Sequence, residues 1–199
     1  MRHWILFVLA APCMVRTVAA QTEFALLAGN AATRGNARGD AGTDQPELRP
    51  DHTGTIALAV QQQMAAWRID GIVRHTAADL AEVGAGTAVV TRGVLKAWGF
   101  GAELGRRVAG TSAGASVFAL VGATADRWRF VDLEGPSRWR VALTGAVEAR
   151  LPAGGRWAAL IRAEAMAGPS LFSSDELPTG FHRQLAWRYG LLVGLARRW

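Results

Sequence analysis

Residues 182–199 alternate in character with a period of two. Trp199, Arg197, Leu195, Val193, Leu191, Tyr189, Trp187 and Leu185 form one set. Arg198, Ala196, Gly194, Leu192, Gly190, Arg188, Ala186 and Gln184 form the other. Side chains of a strand point alternately to opposite faces, so this pattern predicts a long strand with one apolar face and one small or polar face. The same alternation recurs over 138–151, where Trp139, Val141, Leu143, Val147 and Leu151 oppose Arg138, Arg140, Thr144, Glu148 and Arg150. A tight turn at Pro152-Ala153-Gly154-Gly155 then leads to a partner strand over 156–167. Fainter alternating segments cover 22–30, 54–64, 67–75, 81–92, 94–106, 115–123 and 127–133.

These segments total ten, and a strand count of eight results if 127–133 is loop and one further segment merges. The long final strand with its aromatic end, Trp199, resembles the closing strand of bacterial outer-membrane β-barrels, in which such an end is read by the barrel assembly machinery. The fold expected is all-β, an antiparallel up-and-down transmembrane barrel of ten strands, with eight as the alternative. An even count puts both ends on the periplasmic side. Inner turns are then expected near 63–66, 91–93, 124–126 and 152–155, and long outer loops near 31–53 and 168–181. Trp67, Trp128 and Trp157 each follow an inner turn and are the expected interfacial aromatic belt.

The other end of the chain agrees with export. Arg2 and His3 precede an apolar stretch from Trp4 to Val15, and Val18-Ala19-Ala20 offers small residues for cleavage. This is the layout of a secretory signal peptide over 1–20, followed by one barrel domain over 21–199. Cys13 lies within the signal, and Pro12 before it does not suit lipoprotein processing. Cleavage after Ala20 leaves no cysteine, hence no disulfide framework and no thiolate site. The formal net charge of +6 falls to +4 once Arg2 and Arg16 are removed. On an exported chain that charge suits lipid head groups rather than nucleic acid. The partners expected are outer-membrane lipid, lipopolysaccharide and the assembly machinery.

The polar face carries the candidate chemistry. Arg68, Asp70, Arg74, Glu82, Glu103, Arg138, Arg140, Glu148, Arg150, Arg162, Glu164, Arg188 and Arg198 are expected to face the lumen. In a small barrel such charges pair across the interior and plug it, because unpaired buried charge is costly. A narrow anion-favouring pore is the alternative, since arginine outnumbers acid. Gly110-Thr111-Ser112-Ala113-Gly114-Ala115 resembles the serine motif of patatin-like lipases and cyanophycinase-type peptidases, which would make Ser112 a nucleophile. The preceding strand is glycine-alternating rather than buried, and the partner motifs are missing, so a loop between strands is expected there. His75 shares the parity of Trp67, Ile69 and Val73 and faces lipid, as does the histidine of barrel lipid A deacylases. Here Thr76-Ala77-Ala78 stands where that family has its serine, so His75 reads as a rim residue.

His52 and His182 lack metal-ligand spacing, and Asp40, Asp44 and Asp51 lack the calcium-loop pattern, so neither metal nor cofactor is expected. The function read from the chain is structural, surface-interaction or narrow-pore. A lipid-acting barrel hydrolase is the alternative, and a soluble periplasmic carrier with its apolar face turned inward is the second alternative. The processed chain is expected to begin at Gln21; N-terminal sequencing of the exported protein checks this, and retention of 1–20 in the envelope fraction would refute it.

Overall fold

The computed structural model describes residues 21–40, 45–84, 87–111, 113–131 and 137–199. They form ten strands: β1 (Gln21–Arg34), β2 (Ala37–Gly39), β3 (Glu47–Met64), β4 (Trp67–Gly84), β5 (Thr87–Gly110), β6 (Ser116–Phe130), β7 (Arg138–Pro152), β8 (Trp157–Gly168), β9 (Phe181–Arg183) and β10 (Ala186–Arg198). All pairings are antiparallel. The expected signal peptide, 1–20, lies outside the described residues. No described helix is long and apolar enough to cross a membrane.

Eight of the ten strands close into a ring. β1 pairs with β10 on one side and β3 on the other, and the remaining neighbours follow chain order from β3 to β8. The three-residue strands β2 and β9 pair with each other above the ring, and β2 also joins β3. The ring count is therefore the alternative of eight, within a sheet of ten. Closure rests on a tight seam. A Cβ on Gly29 would collide with the Leu191 carbonyl oxygen, and one on Gly194 with the Leu26 carbonyl oxygen, so the two strands approach too closely for any other residue.

Two expected turns are absent. Residues 91–93 lie inside β5 and 124–126 inside β6. Gly93 does have a left-handed backbone (φ 68°), but its N–H donates to Asp79 Oδ1 at 2.7 Å. Asp79 sits in the register shift between Ala78 and Leu80, so this pair makes a bulge, not a turn. Segment 81–92 is thus shared by two strands, and 127–133 continues β6 as far as Phe130. Among the described residues the inner turns are three: 65–66, the stretch around 111 and 113–115, and 153–156. The last two match the expected loop character of the Gly-Thr-Ser-Ala-Gly stretch and the Pro-Ala-Gly-Gly turn.

The polarity of the ring is inverted relative to a soluble fold. Leu26, Ile56, Leu58, Val121, Val141, Leu143, Leu191 and Val193 are exposed on the outside, while Arg68, Asp70, Glu148 and Arg162 are buried inside. This turns round the soluble-carrier reading, which needs the apolar set inward. Gly194→Val is expected to abolish the folded barrel, read as loss of the heat-dependent gel shift in detergent, whereas Ala163→Val on the outer face leaves the shift intact.

Candidate functional site

The lumen is built by inward residues at every second position of the eight ring strands, and its charges stand mostly on β4 to β8 and β10. At its centre Arg68 Nη1 donates to Glu148 Oε1 at 2.7 Å, and Arg68 Nη2 donates to Asp70 Oδ2 at 2.8 Å. Glu148 also lies 3.8 Å from Arg162, which donates to Glu103 at 2.5 Å and to Glu164 at 3.0 Å. Glu164 in turn accepts from Arg74 at 2.9 Å. Three arginines and four carboxylates on β4, β5, β7 and β8 therefore form one connected network. Arg68 is further stacked on the Phe118 ring, 4.5 Å away.

Room for these long side chains comes from small inward neighbours. A Cβ on Gly99 would collide with Asp126 and press on Arg74, and one on Gly122 would press on Glu103. Toward the inner end Glu23 takes both Arg150 and Arg198. Toward the outer end Arg188 donates to Asp126 at 2.9 Å. Fixed pairing of this kind offsets much of the desolvation that isolated buried charges would suffer.

The outer mouth is capped. Asn36, fully buried with φ 94°, accepts hydrogen bonds at Oδ1 from the Leu171 N–H at 2.7 Å and the Ser170 hydroxyl at 3.2 Å. It pins the segment after β8 across the opening. Leu171 and Phe172 are buried there, and Phe172 packs on Phe130. Arg140 Nε donates to the Ser170 carbonyl at 2.7 Å, and Arg138 pairs with Glu176 in the short 3-10 turn Ser174–Glu176. A cavity of about 50 Å³ remains below, against Trp128, Met166, Leu171 and Arg188.

The sequence-derived residues divide accordingly. Arg68, Asp70, Arg74, Glu103, Glu148, Arg150, Arg162 and Glu164 are buried on the lumen side, and Arg138, Arg140 and Arg188 are half-buried near the mouth. Glu82 is a correction: it is exposed, because the bulge at Asp79 reverses the parity of β4 beyond it. Trp128 is a second correction. It belongs to the inward set of β6 with Thr124 and Asp126 and is 7% exposed, over Arg188, so it is not in an outward belt. Trp67 and Trp157 are exposed on the outside near the inner end, joined by Trp199.

A second outward girdle of Trp98, Trp139, Trp187 and Tyr189 stands near the other end. From Trp187 to Trp199 β10 runs about 40 Å, at about 3.4 Å per residue, or about 30 Å of height at a tilt of about 40°. That separation matches a bilayer hydrocarbon core.

His75 faces outward, half-buried beside the Trp98 ring at 4.8 Å, and its Nδ1 has no hydrogen-bond partner among the described residues. Ser112 lies outside the described residues; its neighbours Thr111 and Ala113 belong to the inner turn, near the end opposite His75. Asp44 also lies outside them. No group of three or more metal-binding side chains occurs among the described residues.

Residues the sequence did not single out are Glu23, Asn36, Asp126 and the Ser170–Phe172 stretch. Glu23 and Asp126 have inward parity, and Gly35-Asn36 is a pair suited to left-handed backbone. The apolar Leu171-Phe172 in an otherwise polar loop was the signal for the cap.

No protein family and no curated protein matches the chain. Among solved structures the chain is similar to the outer membrane protein OprG from Pseudomonas aeruginosa, at 7% identity and TM-score 0.49, covering 90% of this chain and 94% of that one. It is also similar to Ail, the attachment invasion locus protein of Yersinia pestis, at 11% identity and TM-score 0.43, covering 89% and 97%. A third is the translocator domain of the autotransporter NalP from Neisseria meningitidis, at 10% identity and TM-score 0.31, covering 94% and 90%.

Glu148→Ala is expected to cost about 3 kcal/mol, because it strips a carboxylate from both Arg68 and Arg162. Val147→Ala, one residue away on the outside, is expected to cost under about 1 kcal/mol. Denaturant unfolding of the refolded protein measures both, and equal costs would show that the network contributes nothing specific.

Proposed function

We propose that this chain is an outer-membrane β-barrel of a Gram-negative bacterium, with a structural or surface-interaction role and a lumen closed to free conduction. The observation that carries the reading is the inverted polarity: a closed ring of strands with aliphatic side chains outside, charges inside and two aromatic girdles about 30 Å apart. A closed ring leaves no unpaired edge, which lipid demands of any strand-built span. The secretory layout expected over 1–20 supports export, and the long alternating closing strand β10 fits delivery to the barrel assembly machinery.

The balance of charge favours a plug over an anion-selective pore. Glu23 and Asp126 add two carboxylates to the lumen, and each inward arginine from Arg68 to Arg188 has an acid or a backbone carbonyl as partner. The cap over the mouth supports the same reading. The lipid-hydrolase alternative gains no support, since no hydroxyl or carboxylate hydrogen-bonds to His75 among the described residues.

The unboiled protein from the outer-membrane fraction is expected to migrate differently from the boiled protein, and to give no steady conductance in planar bilayers. Recovery in the soluble periplasm would overturn the membrane reading. A stable open channel would leave the barrel standing and overturn the closed lumen.

A further inference from the structure

The two ends of the barrel differ in where exposed acidic side chains stand. Asp40, Glu82 and Asp175 are exposed, and all belong to the outer end. At the inner end the acidic side chain among the described residues is Glu23, which points into the lumen and is occupied by Arg150 and Arg198. Around the outside of that same end stand exposed Arg106 and Arg197, with no carboxylate paired to them among the described residues.

Their placement is not random. Arg106 is paired across strands with Trp67 and lies 5.6 Å from its ring. Its neighbour Arg107 has inward parity instead, 5.9 Å from the buried Phe118 ring, and donates from Nη2 to the Ala65 carbonyl at 2.6 Å. On the other side of the ring Arg197 lies between two indoles, 5.6 Å from Trp157 and 5.1 Å from Trp199. The Arg198 N–H donates to the Arg156 carbonyl at 2.9 Å, which ties the turn before Trp157 to β10 beside this pair. The inner girdle thus contains two stations, each with a guanidinium group beside tryptophan.

We infer that this collar is a binding surface for anionic glycerophospholipid in the inner leaflet. A guanidinium stacked on an indole keeps its edge donors free, and those donors fit phosphate oxygens in pairs. The indoles lie where head group meets acyl chain, so phosphate and glycerol backbone are engaged together. Exposed Leu104 and Leu195, two residues toward the bilayer centre from Arg106 and Arg197, continue the contact along the chains. The surface therefore fits an amphiphile, and free phosphate satisfies only half of it. The inference rests on the membrane-spanning reading above.

The test uses the full processed chain refolded in phosphatidylcholine vesicles, with spin-labelled phosphatidylglycerol and spin-labelled phosphatidylcholine as probes of first-shell lipid. Wild type is expected to prefer phosphatidylglycerol several-fold, with the preference weakened by salt. Arg106→Gln with Arg197→Gln is expected to bring the two labels to near-equal retention. Arg129→Gln, exposed at the outer end, should leave it unchanged. Inorganic phosphate at the lipid's concentration should not displace the labelled lipid; displacement would reassign the stations to free anions and overturn the inference. So would equal retention of the two labels by wild type, or a preference that survives loss of both arginines. The heat-dependent gel shift is read on the same samples. A shift without lipid preference defeats the inference alone, whereas no shift at all defeats the membrane reading with it.

Discussion

The rest of the molecule depends on a backbone requirement. In hydrocarbon each N–H and C=O must find its partner within the protein, and strands can meet that demand only if the sheet has no free edge. Here the last edge is removed by pairing β1 with β10, from Glu23↔Arg198 to Arg34↔Trp187. The glycines at Gly29 and Gly194 follow from this requirement, since the seam must be close enough to bond along its whole length. So does the alternation of the sequence, because a closed ring has one face for lipid and one for the lumen, with nothing between.

Closure creates a second problem inside. Eight strands enclose a space that side chains fill, and a polar interior that is filled but unpaired would be costly. The chain meets this with arginines long enough to cross the space and carboxylates placed opposite them on other strands. Glycine and alanine on the facing strands leave room for both. Arg68, Glu148 and Arg162 join β4, β7 and β8, which are not all neighbours, so the network also braces the ring across its diameter. The cap uses different means: a left-handed Asn36 and a short apolar segment, closing the mouth without a strand.

The fold was legible where the period of two is unbroken. β7, β8 and β10 could be drawn from residues 138–199 nearly to their ends, because exceptions such as Arg197 and Leu192 are single and leave the period intact. Legibility failed at irregularities. The bulge at Asp79 reversed the parity of β4, which put Glu82 on the wrong face, and Gly93 imitated a turn by supplying the left-handed residue that a bulge also needs. Thr124-Ala125-Asp126 looked like a polar turn because inward polar residues in a membrane barrel have turn-like composition; Asp126 is polar because Arg188 stands opposite. Pairing across the lumen is set by tilt and register, which one strand's sequence does not contain. The arginine network was therefore visible as a set of inward charges but not as specific pairs. Asn36 was hidden for a different reason, since its role depends on a loop more than a hundred residues away.

The seam has a consequence for how the chain reaches its final form. Most neighbours in the ring are successive in sequence and can pair as hairpins soon after they meet, with small loops to close. The contact between Glu23 and Arg198 joins residues 175 positions apart, and it is available only when nearly all other pairings exist. Before that moment β1 and β10 are bare edges of an open, curled sheet, each able to pair with another open copy. Substitutions at the seam should therefore act on the time spent in that vulnerable state, and on losses to aggregation, more than on the strength of the finished wall.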